Sequence, residues 1–254
     1  MKLAIMQPYV FPYLGYLQLI YYADKFVVFD DTQFVSKGWV NRNRILHPNQ
    51  AKGWQYFTVP VKKHSRDASI IDVEINDSTD WRKEFFGKLT SYKKKAPFYH
   101  ETVDFLRDCL SHDASSVDML AVHTLKATCE LIDIPFDYTL FSEMDVDTSD
   151  VQHAGQWALK ISDSIGASEY VNPHGGYLIF KEAEFRAKGI ELRFLVPELP
   201  PYSQRRGTFE PNLSIVDVLM WHDRSRIREL LENFSIVSQE NLCKDGKDGS
   251  NACL

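Results

Sequence analysis

Two adjacent carboxylates, Asp30 and Asp31, are the first residues in the sequence whose position suggests chemistry. They follow a short apolar run, Phe26 to Phe29, which predicts a buried strand. A carboxylate at the end of such a strand can act as a general base, bind a metal ion or hold ligand hydroxyl groups. Neighbouring side chains on a strand point to opposite faces, so only one of the pair faces a ligand directly. We favour Asp31 as the catalytic group because it lies nearer to the loop, and Asp30 stays an alternative.

A glycine-rich segment with a histidine follows another short strand, which is predicted over residues 169–172. We expect it at the same edge of the sheet as the two carboxylates, and its paired glycines permit close approach of a ligand. His174 is the third candidate for the general base. His153, just before a predicted helix, is a further candidate contact. The candidate ligand contacts in the glycine-rich segment are Asn172, Gly175 and Gly176.

Residues 7–16, with the sequence QPYVFPYLGY, predict a tight loop between the first strand and the first helix. Pro12 and Gly15 sharpen the turn, and Gly15 lets a ligand approach the backbone. The free amides at the start of the helix favour a phosphate or a carboxylate. We therefore expect Gly15→Val to abolish ligand binding while the fold largely survives. The candidate ligand contacts in this loop are Gln7, Pro8, Tyr9, Phe11, Gly15 and Tyr16.

The segment from Ser36 to Arg66 carries seven Lys or Arg residues and no Asp or Glu, although the net charge of the chain is −6. Such a run is either a solvated basic face or an anion-binding surface for a phosphate, a nucleotide-sugar or an RNA backbone. Within it, the sequence WVNRNR combines guanidinium groups with amides and an indole, which suits recognition of a phosphate beside a sugar or a base. The candidate contacts in and just before this segment are Gln33, Lys37, Trp39, Asn41, Arg42, Asn43 and Arg44.

A polar loop that leads into a capped helix supplies the last candidates. We expect Tyr202 and Gln204 to donate hydrogen bonds as this loop closes over the site. Ser214 is either the N-cap of the helix or a ligand contact. The sequence has no G-x-S-x-G elbow, no G-x-G-x-x-G or Walker loop, and no Cys or His spacing typical of zinc. We therefore predict neither a serine hydrolase nor a metal site.

The order of the predicted elements determines where these side chains lie. Strands are predicted at residues 2–6, 26–29, 54–59, 69–75, 134–141, 169–172 and 190–196, and the last helix at 224–234. The alternation of strands and helices predicts an α/β fold with a mainly parallel, Rossmann-like sheet, in which ligands bind at the carboxyl ends of strands. We predict a single domain over residues 1–238, with a helical insertion at about 78–132 and a disordered tail over 239–254.

The composition is that of a soluble globular protein, because 44% of the 254 residues are apolar and 25% are charged. No stretch approaches the roughly 18 uncharged apolar residues that a membrane span needs. The first apolar run stops at Gln7, too early for a signal peptide. We therefore expect a cytoplasmic protein, and its four cysteines are expected to be reduced thiols.

Several of these segments together resemble the WbqC-like protein family of bacteria. The matching pieces are MQPYVFPYLGY, DKFVVFDDTQFVSKGWVNRNRI, FTVPV, YVNPHGGYLIF, GIELRFL and YSQRRGTFEPNLSIVDVL. The resemblance implies a cytoplasmic role in the biosynthesis of O-antigen and other surface polysaccharides. It also implies a transferase that joins glycine to the amino group of a nucleotide-linked amino deoxysugar. The acyl group would be activated by ATP or supplied by aminoacyl-tRNA, and the basic segment suits either.

Two other functions stay open. The Pro-x-x-Gly-Tyr sequence occupies the position of the histidine-and-glycine signature of adenylyl-transferring enzymes, with Pro12 and Tyr16 in place of the histidines. A nucleotidyl-transferring or adenylating enzyme is therefore one alternative. A non-catalytic nucleotide-sugar-binding protein is the other, because the paired carboxylates have no metal-type partner elsewhere in the sequence.

Overall fold

The computed structural model describes residues 1–245. The strands are β1 (Lys2–Met6), β2 (Lys25–Val28), β3 (Arg42–Leu46), β4 (Trp54–Thr58), β5 (Tyr138–Leu140), β6 (Glu169–Pro173), β7 (Glu191–Pro197) and β8 (Phe234–Val237). The helices are α1 (Leu14–Tyr22), α2 (Trp81–Leu89), α3 (Tyr99–Ser111), α4 (Val117–Leu131), α5 (Ala154–Ile165), α6 (Glu182–Ala187), α7 (Ile215–Trp221), α8 (Arg224–Leu231) and α9 (Gln239–Asp245).

The main sheet has the strand order β5-β2-β1-β6-β7-β8. In this order the first five strands, from β5 across to β7, all run parallel to one another. The last strand, β8, pairs antiparallel with β7. The predicted α/β fold with a mainly parallel, Rossmann-like sheet is therefore confirmed. The central strands read as continuous apolar runs because helices bury both faces of a parallel sheet.

Alternate residues of β1 pack into two different cores. Ala4 faces the larger core, which is filled from α1, from the β3–β4 hairpin and from α2, α3, α4, α7 and α8. Leu3 and Ile5 face the smaller core, which is covered by α5 and α6. This division follows from the strand geometry, which sends successive side chains to opposite faces.

The chain between β2 and β5 leaves the sheet and forms a second layer. β3 and β4 form an antiparallel hairpin, and α2, α3 and α4 then occupy the region in which we predicted a helical insertion. The ring of Phe11, in the loop after β1, lies 6.5 Å from that of Phe57 and 6.4 Å from that of Phe85, measured between centroids. The second layer therefore packs directly on the loop between β1 and α1.

The direction in which strands are added to the sheet reverses at β1. From β1 the chain proceeds to β2 and β5 on one side, and it then returns to the other side of β1 to form β6 and β7. In open parallel sheets, ligands bind at the carboxyl ends of the strands where this reversal occurs, here β1 and β6. The loops that follow β1, β2 and β6 all start from this edge.

Four predicted elements differ in the structure. The strand predicted over residues 134–141 is confined to Tyr138–Leu140. Residues 69–75, predicted as a strand, contain a 3-10 helix at Ile70–Asp72, because Ile70 and Val73 both turn into a small core beside α4. The last long helix ends at Leu231, and β8 follows it. The expected disordered tail begins with α9, and residues 246–254 lie outside the described part of the chain.

Candidate functional site

Two of the predicted site residues directly follow the neighbouring strands β1 and β6. Gln7 comes after Met6, the last residue of β1, and His174 comes after Pro173, the last residue of β6. The Gln7 side chain is exposed, and its Nε2 donates a hydrogen bond to Oγ1 of Thr32 at 2.9 Å. Nδ1 of His174 is buried and has no hydrogen-bond partner within the described chain. His174 therefore keeps an unused polar atom at the edge where ligands bind.

Asp30 is a positioning residue. Its side chain is completely buried, Oδ1 accepts hydrogen bonds from the Ser142 amide at 2.9 Å and the Asp31 amide at 3.0 Å, and Oδ2 accepts one from Ser142 Oγ at 2.6 Å. These bonds fasten the end of β2 to the segment after β5. Since the carboxylate is enclosed and fully used, we remove Asp30 from the candidates for the catalytic base.

Asp31 differs from its neighbour in being exposed. Its Oδ1 accepts a hydrogen bond from Ser69 Oγ at 2.7 Å, so the carboxylate is oriented but can still meet a ligand. The next predicted contact on this loop, Gln33, is exposed and donates to the carbonyl of Arg66 at 3.0 Å. The loop after β2 therefore presents Asp31 to solvent while its neighbours hold it against residues 66–69.

Asp118 is a carboxylate that the sequence interpretation missed. It lies in the first turn of α4, 8% of its surface is exposed, and its Oδ1 has no partner within residues 1–245. Burial raises the pKa of Asp118, and the charge of Asp30 acts in the same direction. An acidic residue after a predicted helix cap is usually exposed, so the sequence offered no signal that this one is buried near Asp30.

The β3–β4 hairpin carries a partly exposed surface of two guanidinium groups and three aromatic rings, which we call the arginine–aromatic face. It consists of Trp39, Arg42, Arg44, Trp54 and Tyr56. The Arg42 guanidinium carbon lies 4.2 Å from the centroid of Tyr56 and 5.8 Å from that of Trp39. That of Arg44 lies 5.2 Å from Trp54 and 5.5 Å from Trp39. Alternation along β3 explains the arrangement, since Arg42 and Arg44 emerge on the same side of the strand.

The charges of this face are not neutralised. Arg42 donates from Nε to the carbonyl of Gly38 at 2.9 Å and from Nη2 to that of Lys37, and Arg44 donates from Nη2 to the carbonyl of Asn212 at 3.0 Å. Neither arginine forms an ion pair within the described residues, and Nε of Arg44 is buried without a partner. A guanidinium group has five N–H donors, so most of them are free for an anion.

Tyr9 connects the loop after β1 to the arginine–aromatic face. Its ring lies 6.2 Å from that of Trp39, measured between centroids. Burial raises the pKa of the Tyr9 hydroxyl, whereas the charges of Arg44 and Arg42 act to lower it. Burial also raises the pKa of Tyr13 to about 12. Both phenols therefore stay protonated at neutral pH, and that of Tyr9 lies near the two arginines.

Several predicted ligand contacts instead hold the loop after β1 in place. Phe11 has a φ of 46°, an unfavourable value for an aromatic residue, and its carbonyl accepts hydrogen bonds from Asn43 Nδ2 at 2.8 Å and Ser214 Oγ at 2.7 Å. Asn41 donates to the carbonyl of Val59 at 2.8 Å. Phe11 is therefore in the core, and the other three side chains, predicted as ligand contacts, bind backbone carbonyls of the protein in this structure.

Gly15, predicted to let a ligand approach the backbone, is closely packed by side chains of the protein. A methyl group at this position would lie 2.5 Å from Cε2 of Tyr13 and 2.9 Å from Cγ of Pro197, so side chains of the protein already fill the space. Tyr16 is completely buried, and its hydroxyl donates to the carbonyl of Gln7 at 2.9 Å. Pro8 is buried as well. These residues fix the shape of the loop and do not face a ligand.

Tyr202 and Gln204, predicted to donate hydrogen bonds to a ligand, donate hydrogen bonds to a buried carboxylate of the protein in this structure. Asp217, on α7, is completely buried, and its Oδ2 accepts from Tyr202 Oη at 2.6 Å and Gln204 Nε2 at 3.0 Å. Its Oδ1 accepts from Tyr92 Oη at 2.7 Å and Trp221 Nε1 at 3.3 Å. Burial raises the pKa of Asp217 despite these bonds. The sequence interpretation missed this network because its members are up to 125 positions apart.

The remaining predicted contacts are His153, which pairs with a carboxylate, and the glycine-rich segment, part of which is closely packed. Nε2 of His153 lies 3.1 Å from Oε2 of Glu184, which joins the first turns of α5 and α6. A methyl group at Gly176 would lie 2.4 Å from Nδ2 of Asn172, so these two residues pack on each other. Nothing lies within 4 Å of a methyl group at Gly175, so within the glycine-rich segment it is Gly175 that has open space beside it.

A model of the WbqC-like protein family matches residues 7–229, which include the loop after β1, the arginine–aromatic face and α7. The chain belongs to the WbqC-like protein family. The family inferred from the sequence pieces is thus confirmed. An uncharacterised protein of Mycobacterium tuberculosis, Rv1507c, is 30% identical to this WbqC-like chain over 220 residues, which cover 86% of the chain and 92% of the relative. No solved structure matches the chain.

Two further findings on this WbqC-like protein concern membrane-spanning helices and metal sites. Within residues 1–245, no helix combines the length and the apolar character that a membrane crossing requires. In the same residues, no group of three or more His, Cys, Asp or Glu side chains is arranged to hold a metal ion.

Proposed function

We propose that this WbqC-like protein is a transferase of surface-polysaccharide biosynthesis that joins glycine to the amino group of a nucleotide-linked amino deoxysugar. One observation carries the proposal. Two unneutralised guanidinium groups, those of Arg42 and Arg44, are held between aromatic rings beside the loop that follows β1. The family resemblance supplies glycine and the amino sugar, and the geometry supports the binding of a phosphate-bearing substrate.

In this proposal the diphosphate of the substrate binds Arg42 and Arg44. Arginine forms bidentate hydrogen bonds to phosphate oxygens, and its charge persists at every physiological pH. Carbonyl groups and rings fix both guanidinium groups before a ligand arrives, so little side-chain freedom is lost on binding. The partly exposed rings of Trp39 and Trp54 supply apolar contact for the sugar or the base.

Acyl transfer then needs a base at the carboxyl edge of the sheet. The amino group of the sugar attacks the acyl carbon, the new C–N bond forms, the bond from that carbon to its leaving oxygen breaks, and the proton passes from nitrogen to the base. The two candidates for this role are Asp31, which is exposed, and His174, whose Nδ1 has no hydrogen-bond partner within the described residues. The leaving oxygen belongs to AMP if ATP activates glycine, or to the terminal ribose if aminoacyl-tRNA is the donor.

Calorimetric titration with a nucleotide-linked amino sugar tests the binding part. The variants Arg42→Ala and Arg44→Ala should each lose about 1.5–3 kcal/mol of binding free energy for a charged hydrogen bond. Lys63→Ala is the matched control, because Lys63 is an exposed cation of the same basic segment outside the arginine–aromatic face. Unchanged affinity in a folded Arg42→Ala, Arg44→Ala double variant would contradict the proposed site.

Product analysis tests the chemistry. Incubation with glycine, the amino sugar and either ATP or glycyl-tRNA should yield an amide, detected by mass spectrometry. Release of pyrophosphate without an amide would favour nucleotidyl transfer. The structure gives that alternative no support, since Pro12 and Tyr16, which stand where the histidine signature would be, are both buried. Binding of the nucleotide-sugar without turnover of either acyl donor would favour the other alternative, a non-catalytic nucleotide-sugar-binding protein.

A further inference from the structure

A cationic pocket, separate from the arginine–aromatic face, lies at the turn end of the β3–β4 hairpin. It has a volume of about 160 Å³ and opens between the hairpin turn, the segment between α2 and α3, and the loop before α7. His47 and Gln50 come from the turn, Lys95 from the segment after α2, and Arg206 from the loop. No Asp or Glu lines this cavity, which we call the turn pocket.

Arg206 is the central cation of the turn pocket. Its Nη1 donates to the carbonyl of Gly53 at 2.8 Å and its Nη2 to that of Gln50 at 3.0 Å, which fixes the guanidinium plane. Its Nε is buried and has no partner within the described residues. Arg206 forms no ion pair there, although Glu210 also packs against Gly53. A buried charged donor without an acceptor is unfavourable, and an oxyanion in the cavity would correct this.

Two further polar side chains line the same cavity. Lys95 is exposed and takes part in no ion pair within residues 1–245, so its ammonium group is free. Nδ1 of His47 lies 2.9 Å from the Asn49 amide nitrogen and 3.2 Å from the Asn49 carbonyl oxygen. The pocket therefore offers a guanidinium and an ammonium group, with an imidazole beside them.

One wall of the turn pocket is held by a hydrogen-bond network. It includes Tyr92, Gln204 and Trp221, each of which donates a hydrogen bond to the buried carboxylate of Asp217. These bonds fix the position of the wall. Asp217 itself does not line the turn pocket, and its carboxylate accepts a fourth hydrogen bond from Tyr202.

We propose that the turn pocket binds a phosphate-type oxyanion, at a site separate from the arginine–aromatic face and independent of the proposed transferase activity. Pockets for drug-sized ligands are typically about 300–1,000 Å³. The smaller volume of the turn pocket therefore suits phosphate or pyrophosphate, either free or as the terminal group of a larger ligand whose remainder stays in solvent.

Titration with pyrophosphate, inorganic phosphate and a nucleoside diphosphate tests this site. Calorimetry gives the affinity, and the Nε–H resonance of Arg206 in ¹⁵N-labelled protein reports contact at the pocket. We expect saturable binding of pyrophosphate with a shift of that resonance. The nucleoside diphosphate should shift the same resonance if the natural anion is the end of a larger ligand, whereas binding of phosphate and pyrophosphate alone indicates a free anion.

Single substitutions decide whether the pocket is responsible. Lys95→Ala and Arg206→Lys should each weaken pyrophosphate binding about tenfold or more, the effect of one charged hydrogen bond. Lys93→Ala is the matched control, since Lys93 is an exposed cation two positions from Lys95 and does not line the pocket. If Arg206→Lys fails to fold, the exposed Lys95 still provides the test.

Three results would overturn the proposal. The first is the absence of saturable binding at millimolar pyrophosphate. The second is equal weakening by Lys93→Ala and Lys95→Ala, which would indicate diffuse surface attraction. The third is binding that survives Lys95→Ala and is lost in Arg42→Ala, which would assign the anion to the arginine–aromatic face.

Discussion

At the scale of single residues, environment separates two carboxylates that the sequence presents as a pair. Asp30 is enclosed by Ser142 and by the backbone, whereas Asp31 is exposed and oriented by Ser69. A base must reach its substrate, and a positioning residue must keep its hydrogen bonds. The two positions should therefore respond in opposite ways to the same substitution.

We predict that Asp31→Asn lowers turnover about 100-fold or more, the usual size of a general-base effect, and leaves the melting temperature almost unchanged. Asp30→Asn should instead lower the free energy of unfolding by about 1.5–3 kcal/mol, because an amide nitrogen cannot accept from Ser142. Steady-state kinetics and urea unfolding of both variants provide the measurements. A stability loss at Asp31 with full activity per folded molecule would direct the search for the base to His174.

Asp217 allows a prediction about pH. Burial raises its pKa in the native state above the unfolded value of about 3.9, so the native state binds the proton more tightly. The stability linked to this proton is fully present below about pH 4 and is lost as the pH rises through the native pKa. The unfolding free energy of the wild type minus that of Asp217→Asn should therefore fall as the pH rises above about 4. A difference that increases with pH in urea titrations would refute this assignment.

At the scale of elements, the contact of α1 with the end of β7 depends on the absence of a side chain at one position. Gly15 leaves room for the ring of Tyr13 and for Pro197, the last residue of β7. The loop after β1 is also attached to α7, since Ser214 donates to Phe11 and the amide of Ile215 donates to the carbonyl of Pro12 at 2.6 Å. A change at Gly15 should therefore disturb several elements together.

We predict that Gly15→Val lowers the free energy of unfolding by about 1–3 kcal/mol, because overpacking forces the neighbouring groups apart. Gly87→Ala, in α2, is the control: nothing lies within 4 Å of the added methyl group, and the higher helix propensity of alanine should stabilise the protein by up to about 1 kcal/mol. Equal stability of Gly15→Val and the wild type would restore the original interpretation of an open position.

At the scale of the whole molecule, α1 near the start of the chain is joined to the end of α8 within the larger core. Gln18, on α1, is completely buried, and its Nε2 donates to the carbonyls of Leu230 and Asn233, each at 2.9 Å. These carbonyls end α8 and precede β8, the strand that completes the sheet. One side-chain amide therefore stabilises the closure of the fold between residues more than 200 positions apart.

We predict that Gln18→Leu lowers the free energy of unfolding by about 1–3 kcal/mol, since it keeps a similar volume but leaves each of the two carbonyls with its backbone donor alone. Tyr21→Phe is the control from the same helix. Its hydroxyl donates to Glu232 Oε1 at 3.3 Å, but the residue is exposed, so the loss should stay below about 0.5 kcal/mol. Similar unfolding curves for the two variants would contradict a special role for Gln18.

The sequence by itself determined the features that are encoded over short distances. The apolar runs predicted the parallel sheet, Gly166 ends α5 with a φ of 71°, and Ser214 caps α7 by accepting from the Val216 amide. The continuous pieces around residues 7–44 identified the family. Each of these depends on neighbours within a few positions, where periodicity, backbone conformation and capping chemistry are directly readable.

Only the tertiary structure decided which polar side chains are free for a ligand. Asp30 and Ser142 are 112 positions apart. Asp217 and Tyr92, and likewise Gln18 and Leu230, are even further apart along the chain. No local pattern therefore shows that these donors and acceptors are already used. The turn pocket likewise joins three segments that are distant along the chain. Hydrogen-bond satisfaction is a property of the folded surroundings of a group, and the same residue types occur in exposed loops and in buried networks.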